Sequence, residues 1–407
     1  MSSGPSHSPS DAGKEHAAAR PVADVSADAP ENRALSAMSA GNLDAAGIVP
    51  ASPPPAGSRG AAGWIRQRLF SSPLNILITI LLVWLLLMGL PPLIEWALIK
   101  ANFTANNAQE CRAGPAGACW AFIREKYRLI LFGTYPYDEQ WRPLLATLIL
   151  LAVIICSAIR RFWKTRLIAI WVIGLALVAW LMWGGFGGLS YVENTRWGGL
   201  PLTLILSTFG IAFAFPIGVI LALGRRSHMP VIKALCVVYI EIIRGIPLIS
   251  LLFMSSVMLP LFLPEGVSFD KLLRAQIAII MFAAAYIAET VRGGLQAIPR
   301  GQVEGAQSIG LNYWQTMRKI VLPQALKIVI PPLVSIFISL FKDTSLVVVI
   351  GIYDLTLSAK ASLSDPLWRG FSIEAYLFIS LIYFIFCFAM SRYAKWLESR
   401  MDTGYPR

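Results

Sequence analysis

Eight apolar segments, each close to the length that crosses a bilayer, constrain this 407-residue sequence more than any other feature. A helix needs about 20 mainly apolar residues to span the hydrocarbon core. At 56% hydrophobic and 14% charged residues, the chain is too apolar for a soluble protein. The sequence therefore predicts an all-α integral membrane protein with about eight transmembrane helices. We expect them near Leu74 to Leu98, Leu144 to Ile159, Leu167 to Trp183, Leu200 to Leu223, Ile246 to Leu263, Ala275 to Glu289, Ile328 to Ile350 and Ile373 to Met390.

Basic residues collect at alternate ends of these segments. They follow the second, fourth and eighth: Arg160, Arg161, Lys164, Arg166, Arg225, Arg226, Lys233, Arg392, Lys395 and Arg400. Because cytoplasmic loops carry the excess of Lys and Arg, both termini are expected in the cytoplasm. The same distribution accounts for the net charge of +12 without a nucleic-acid site, since no basic-aromatic motif is present.

Four regions follow from these patterns. Residues 1–62 are rich in Ser, Ala, Pro and Gly and predict a disordered cytoplasmic tail, whose start lacks the features of a signal peptide. Residues 63–196 hold three spans and a long loop near 100–142, expected in the periplasm. Residues 197–395 hold five further spans. Residues 396–407 form a cytoplasmic C-terminus.

Two cysteines lie in the long external loop. Cys111 and Cys119 are eight residues apart, and an oxidising periplasm would allow a disulfide between them. Two unpaired thiols are the alternative. Cys156, Cys236 and Cys387 lie in or beside apolar segments and are interpreted as packing residues. No spacing of Cys or His predicts a metal site.

Catalytic motifs are absent from the sequence. It contains no G-x-x-x-x-G-K-[ST] phosphate loop, no dinucleotide fingerprint and no nucleophile-base pattern. We therefore expect no enzyme and no cofactor bound by this chain. Energy for transport would come from a partner or from a co-transported ion.

A polar segment between the sixth and seventh spans carries a distinctive spacing. Glu304, Gly305, Ala306 and Gly310 are followed across nine residues by Ile320, Leu322 and Pro323. The pattern E-x-A-x-x-x-G-x9-I-x-L-P resembles the cytoplasmic coupling loop of permease subunits from ATP-binding-cassette (ABC) importers. The small residues would let a foreign surface approach, Gly310 would end one helix with positive φ, and Pro323 would begin a second. An ordinary amphipathic connector is the alternative.

Further motifs extend this resemblance over the second half of the chain. The sequence is similar to the polar amino acid permease family at GLPLTL 199–204, LALGRRS 221–227, RGIPL 244–248, AYIAE 285–289, RGGLQA 292–297 and KDTSL 342–346. The resemblance implies a type I ABC importer permease core at 197–395, with a coupling loop near 296–325. Gly305 departs from the Ala that is more frequent in this family.

The length, the three additional spans and the cysteine-bearing loop resemble the M-type permease subunit of the general L-amino acid importer. That resemblance implies a bacterial inner-membrane protein that works with a second, related permease subunit. It also implies two ATP-binding subunits, which use ATP and Mg, and a periplasmic amino acid-binding protein.

Charged residues inside the predicted spans are candidates for a substrate path or inner gate. Tyr286, Glu289 and Arg292 fall at i, i+3 and i+6 and share a helix face. Charges within a span are costly, so they face protein or water and have partners. A structural pairing of Glu289 with Arg292 or with Arg244 is the alternative, and Arg244 could equally be an interfacial anchor.

Lys342 and Asp343 are expected roughly 20 Å into the seventh span, counting about 1.5 Å per residue from Ile328. Adjacent residues cannot share one helix face, so one would line the path and the other would meet a neighbouring helix. Together they would suit a zwitterionic amino acid. A charged pair that serves only assembly is the alternative.

Two other functions remain open from the residues alone. An ion-driven secondary amino acid transporter or channel would also carry charges in its spans, and a membrane scaffold would transport nothing. Neither needs a cytosolic ATPase. Co-purification with an ATPase would therefore distinguish them from an importer subunit.

Overall fold

A computed structural model describes residues 63, 65, 68–114, 116–159, 161, 165–264, 266 and 269–401. The predicted tail at 1–62 and residues 402–407 lie outside the described residues. The chain divides into two units between Met88 and Gly89. In the first, Thr79 Oγ1 donates to Leu69 O at 3.0 Å. All the contacts of the candidate sites lie in the second unit, 89–407.

The regular structure of the described residues is helical, apart from two isolated bridges. The helices are α1 Pro73–Ile94, α2 Ala108–Ala113, α3 Trp120–Phe132, α4 Trp141–Ala158, α5 Thr165–Trp183, α6 Gly199–Arg225, α7 Pro230–Gly245, α8 Leu248–Phe253, α9 Lys271–Gln296, α10 Arg300–Ser308, α11 Tyr313–Thr316, α12 Leu322–Asp343, α13 Leu355–Ser362 and α14 Ser372–Met401.

Seven helical stretches in the described part of the chain are long and apolar enough to cross a membrane, and a bent pair brings the number to as many as eight. This confirms the predicted all-α membrane fold. The fifth predicted span, Ile246 to Leu263, corresponds to the second member of this pair, the stretch Leu248–Phe262. α7 meets the stretch Leu248–Phe262 at an angle of 103°. Pro247 disfavours helical backbone at Ile246, which is extended with φ −100 and ψ 131, and so the helix turns there.

α6 and α9 form the centre of the bundle and make the most extensive helix pair. Their close approach depends on small residues. A Cβ at Gly218 of α6 would lie 2.6 Å from Ile287 Cγ2 and 3.0 Å from Ala284 O on α9. In a bilayer, where lipid competes for apolar contact, such backbone proximity allows dense helix packing.

The direction of the helices separates two ends of the bundle. α6 and α9 run toward the loop that contains α10 and α11, and α12 returns from it. At the other end, Gly199 N at the start of α6 donates to Tyr353 O at 2.8 Å. We name the end with residues 296–325 the loop end. The segments 101–136 and 351–371 at the opposite end form the cap.

The cap has its own apolar core. Phe122 of α3 contacts Trp368 and Phe371, with ring centres 6.1 and 6.0 Å apart. Cys111 and Cys119 border these rings and are joined by a disulfide, with Cα atoms 5.9 Å apart. The two thiols are therefore paired in the structure. The long loop that precedes α4 thus packs on the segment that precedes α14.

Candidate coupling loop and substrate path

α10 ends in a reversal that requires glycine. Gly310 has φ 81, in the left-handed region that was expected for it. The Leu311 amide then donates to Ala306 O at 3.1 Å and the Gly310 amide to Gln307 O at 2.9 Å, which satisfies the last carbonyls of α10. No atom lies within 4 Å of a Cβ added at Gly310. The backbone conformation, not the available space, therefore selects glycine.

The second helix of the loop begins earlier than predicted. Asn312 caps α11, and Asn312 and Gln315 form a reciprocal capping box with bonds of 2.9 and 3.0 Å. Helical structure then continues through the π turn Met317–Val321 into α12. Pro323 is the second residue of α12 and lies at the start of that helix, although helical structure already begins with α11.

The other motif residues face different ways. Ala306 is 2% exposed and is the buried residue of α10, so its small side chain packs within this chain. Gly305 is exposed, and a Cβ there would meet nothing within 4 Å. Glu304 is exposed and lines a cavity between α10 and the ends of the spans. Ile320 and Leu322 are half-buried.

The loop also exposes apolar side chains that the motif did not single out. Ile309 is 73% exposed and Trp314 69%, beside the exposed Tyr313. Single exposed apolar residues are ordinary, but these three lie on both sides of the Gly310 reversal, within a short stretch of chain. In the sequence, these three residues show no helical periodicity that would indicate an exposed apolar surface, because the turn at Gly310 interrupts the helix.

Toward the loop end, α6, α7 and α9 meet at a cluster of charges around Glu289. Its carboxylate accepts hydrogen bonds from Arg292, with Nε 3.0 Å from both oxygens. Arg225 Nη1 lies 3.3 Å and Arg244 Nη1 3.9 Å from Glu289 Oε2. Arg225 also lies 2.9 Å from Glu241 Oε1. Glu289 therefore forms ion pairs with both Arg292 and Arg244, which is the structural alternative that the sequence left open.

Tyr286 connects this cluster to a second cavity, which we name the path cavity. The guanidinium of Arg244 lies 5.6 Å from the centre of the Tyr286 ring, within cation–π range. Tyr286, Ser335, Ser339 and Asp343 lie in the wall of the path cavity, which measures about 360 Å³. α9 and α12 thus present aromatic, hydroxyl and carboxylate groups to one space.

Lys342 and Asp343 diverge as adjacent helical residues must. Asp343 is half-buried in the wall of the path cavity, and Lys342 is exposed on another face of α12. Within the described residues, neither forms an ion pair within 4 Å. Of the two opposite charges, only that of Asp343 reaches the cavity.

A membrane permease is the class that these elements define: a helical bundle with a cavity of a few polar groups among its spans and a helical loop at one end. Residues 214–403 match the family described as the binding-protein-dependent transport system inner membrane component. The chain is 52% identical to the inner membrane amino-acid ABC transporter permease protein YhdY of Escherichia coli (strain K12), over 84% of this chain and 93% of the relative.

Two further relatives are also named as transport permeases. One is the glutamate/glutamine/aspartate/asparagine transport system permease protein BztC of Rhodobacter capsulatus, 38% identical over 87% of this chain and 96% of BztC. The other is the probable glutamine ABC transporter permease protein GlnP of Bacillus subtilis, 36% identical over 50% of this chain and 92% of GlnP.

The chain belongs to the family of amino-acid ABC transporter permeases. It is a multi-pass inner-membrane subunit of an ATP-driven amino acid importer and not an enzyme. Such permeases work with an ATPase and a substrate-binding partner. The ion-driven transporter and the scaffold are thereby excluded.

Proposed function

We propose that residues 296–325 dock on the partner ATPase and transmit its movement to the spans. Two short helices at the loop end, α10 and α11, are the observation that carries this proposal. The Gly310 reversal separates them, and Ile309 and Trp314 are exposed there. An exposed apolar patch beside polar helices is typical of a protein interface. In this arrangement Gly305 and Glu304 contribute to coupling, and Ala306, Ile320, Leu322 and Pro323 hold the loop on the spans.

The proposed orientation puts the loop end and both termini in the cytoplasm. Arg225, Arg226 and Lys233 lie at or next to the loop end, in accord with the excess of basic residues in cytoplasmic loops. The Cys111–Cys119 disulfide lies in the opposite cap, where the periplasm would favour it.

The proposed assembly contains a second, related permease subunit, two ATP-binding subunits and a periplasmic amino acid-binding protein. ATP and Mg are used by the ATP-binding subunits, and this chain binds no cofactor. The three spans that precede the core and the cysteine-bearing loop support an M-type subunit of a general L-amino acid importer.

The path cavity is the proposed substrate path in this subunit. Asp343 offers a negative charge to an ammonium group, and Arg244 offers a positive one to a carboxylate across the Tyr286 ring. The buried Nε of Arg244 has no hydrogen-bond partner in the described part of the chain. Glu289 and Arg292 form the inner gate, and Lys342 lies beside Asp343 but outside the path cavity. The names of BztC and GlnP support acidic and amide amino acids among the substrates.

The test combines topology with co-purification. Ser308→Cys should react with a membrane-impermeant maleimide in inverted vesicles but not in intact cells, whereas Asn106→Cys in the cap should react in intact cells. Tagged wild-type protein should bring down the ATP-binding subunit, and Ile309→Asp with Trp314→Asp should not. Labelling of Ser308→Cys in intact cells would refute the orientation. Unchanged ATPase recovery with the double variant would refute docking at this loop.

A further inference from the structure

The cavity that Glu304 lines, between α10 and the ends of the spans, is distinct from the path cavity. We name it the loop cavity. Its volume is about 360 Å³, within the range of roughly 300 to 1,000 Å³ that small-molecule sites occupy. Five apolar side chains form its floor, including Leu295 of α9 and Met317 of the π turn. Its rim carries two basic, one acidic and one amide side chain: Arg226, Arg300, Glu304 and Gln307.

The charges on this rim are available to a ligand. Arg300 and Glu304 form no ion pair within 4 Å among the residues that the structure describes. Arg226 Nη1 donates to Leu295 O at 2.8 Å, and the remaining N–H groups of its guanidinium can still donate elsewhere. Opposite charges above an apolar floor complement a molecule that has a carboxylate, an ammonium and an apolar side chain.

We propose that the loop cavity binds a free zwitterionic amino acid with an apolar side chain, and that its occupancy slows transport. The carboxylate contacts Arg226 and Arg300, the ammonium contacts Glu304, and the side chain covers Leu295 and Met317. The walls come both from α10 and from the spans, so a ligand that bridges them restrains α10 in one position. This regulation rests on the proposed function, in which α10 must move with the ATPase. Because the loop end is proposed to face the cytoplasm, a cytoplasmic amino acid of this class would slow import.

The first test uses the complete transporter in proteoliposomes with the ATPase facing outward and the binding protein with its amino acid enclosed. L-Leucine is added outside with ATP, and ATP hydrolysis is expressed relative to the rate of each variant without leucine. Wild type should be inhibited, and Arg300→Gln should raise the half-inhibitory concentration by about tenfold or more, because a charged hydrogen bond is lost. Arg318→Gln, which removes the same charge nearby but outside the cavity, should behave as wild type.

The second test measures binding directly and remains informative if Arg300→Gln assembles poorly. Radiolabelled L-leucine should bind the complex in nanodiscs, and Val303→Phe, which fills the cavity floor without changing charge, should reduce binding about tenfold or more. Unlabelled 3-methylbutylamine and 4-methylpentanoate each lack one charge of leucine and should compete at least about tenfold less well.

Four results would overturn the proposal. One is equal inhibition of wild type and Arg300→Gln. Another is competition by 4-methylpentanoate as strong as by leucine, which would define an anion site for a phosphate or lipid headgroup. The third is binding to the permease pair that disappears when the ATPase is present, which would assign the cavity to an ATPase side chain. The fourth is no binding of leucine at all. Failure of the proposed function is separate, since it would appear as absent substrate-stimulated hydrolysis without leucine.

Discussion

Arg225 at the end of α6 donates to Glu289 on α9 across 3.3 Å, joining residues 64 positions apart. The bond links the two helices that form the centre of the bundle, at the point from which α9 leads to α10. Arg292 and Arg244 approach the same carboxylate from α9 and α7. One acidic side chain therefore holds three helices together near the proposed inner gate.

Replacing Glu289 by Gln should destabilise this junction. The side chain is 22% exposed, so we expect a loss of about 1–3 kcal/mol in apparent stability, as for a charged hydrogen bond. Thermal unfolding in nanodiscs measures it. Glu241→Gln is the matched control, since Glu241 is 54% exposed and pairs with Arg225 alone in the described residues. Equal losses in the two variants would contradict a central role for Glu289.

Gly310→Val should damage coupling while leaving the spans folded. A β-branched residue at φ 81 is strained, at a cost of about 1–2 kcal/mol, and α10 would end differently. ATPase recovery and radiolabelled amino acid uptake should both fall at equal membrane levels. Gly301→Ala is the control, because Gly301 lies inside α10 and its Cβ would meet no atom within 4 Å. Full uptake by Gly310→Val would leave the loop as a simple connector.

Asp343→Asn should reduce uptake and leave ATPase recovery unchanged. It keeps the shape of the side chain in the path cavity and removes the charge proposed to meet the substrate ammonium. A loss of about tenfold in uptake corresponds to one charged hydrogen bond. Lys342→Gln should reduce uptake less, because that side chain lies outside the cavity. The reverse order of the two variants would refute the assignment of the cavity.

The disulfide of the cap should be detectable and stabilising. Mass analysis without reductant should show Cys111 linked to Cys119, with Cys156, Cys236 and Cys387 free to alkylate. Cys111→Ser with Cys119→Ser should lower apparent stability by about 2–3 kcal/mol, as expected for closing a short loop. Cys156→Ser should have little effect. Alkylation of both cap cysteines in protein that has never been reduced would contradict the pairing.

Asp354 should make the stability of the cap depend on pH. Burial raises the pKa of this carboxyl from 3.8 to about 6, against the opposing effect of its bonds to the Leu357 and Thr356 amides. The folded state therefore binds the proton more tightly than the unfolded state, and this group's contribution to stability rises as pH falls from above 6. Between pH 7.5 and 5.0, wild type should gain about 1 kcal/mol relative to Asp354→Asn in thermal unfolding. A constant difference between the two proteins would refute it.

Sequence patterns predicted what is local and missed what depends on distant contacts. Apolar length was enough to predict the spans, because each helix satisfies its own backbone in lipid. α7 escaped prediction because Lys233, Glu241 and Arg244 interrupt its apolar face. Pro247, at which the chain turns from α7 into the fifth predicted span, is the local signal for this bend.

In the charge cluster around Glu289, local spacing likewise predicted the contact within one helix but not the contacts between helices. The i, i+3 spacing gave the pair of Glu289 and Arg292, which lie on one helix. Arg225 was interpreted only as a topology signal, because nothing in a separation of 64 residues indicates contact. Gly310 was predicted from its place after a short helix, whereas the start of α11 at Asn312 was missed in favour of Pro323. The capping box at Asn312 and Gln315 is the local signal that could have corrected this.

The cap connects residues that precede the five-span core to the last helix, and a truncation to the core would break these contacts. Cys119 N donates to Glu374 Oε1 at 3.0 Å, Lys126 Nζ lies 2.6 Å from Asp365 Oδ2, and Ile130 packs against Leu355 and Ile379. A truncation that began at residue 197 would uncover all of these partners at once. The five-span core of this protein would therefore expose groups that are paired or buried in the full chain, although GlnP matches only half of that chain. Residues 101–136 of the cap therefore support the start of the last helix as a structural part of the permease.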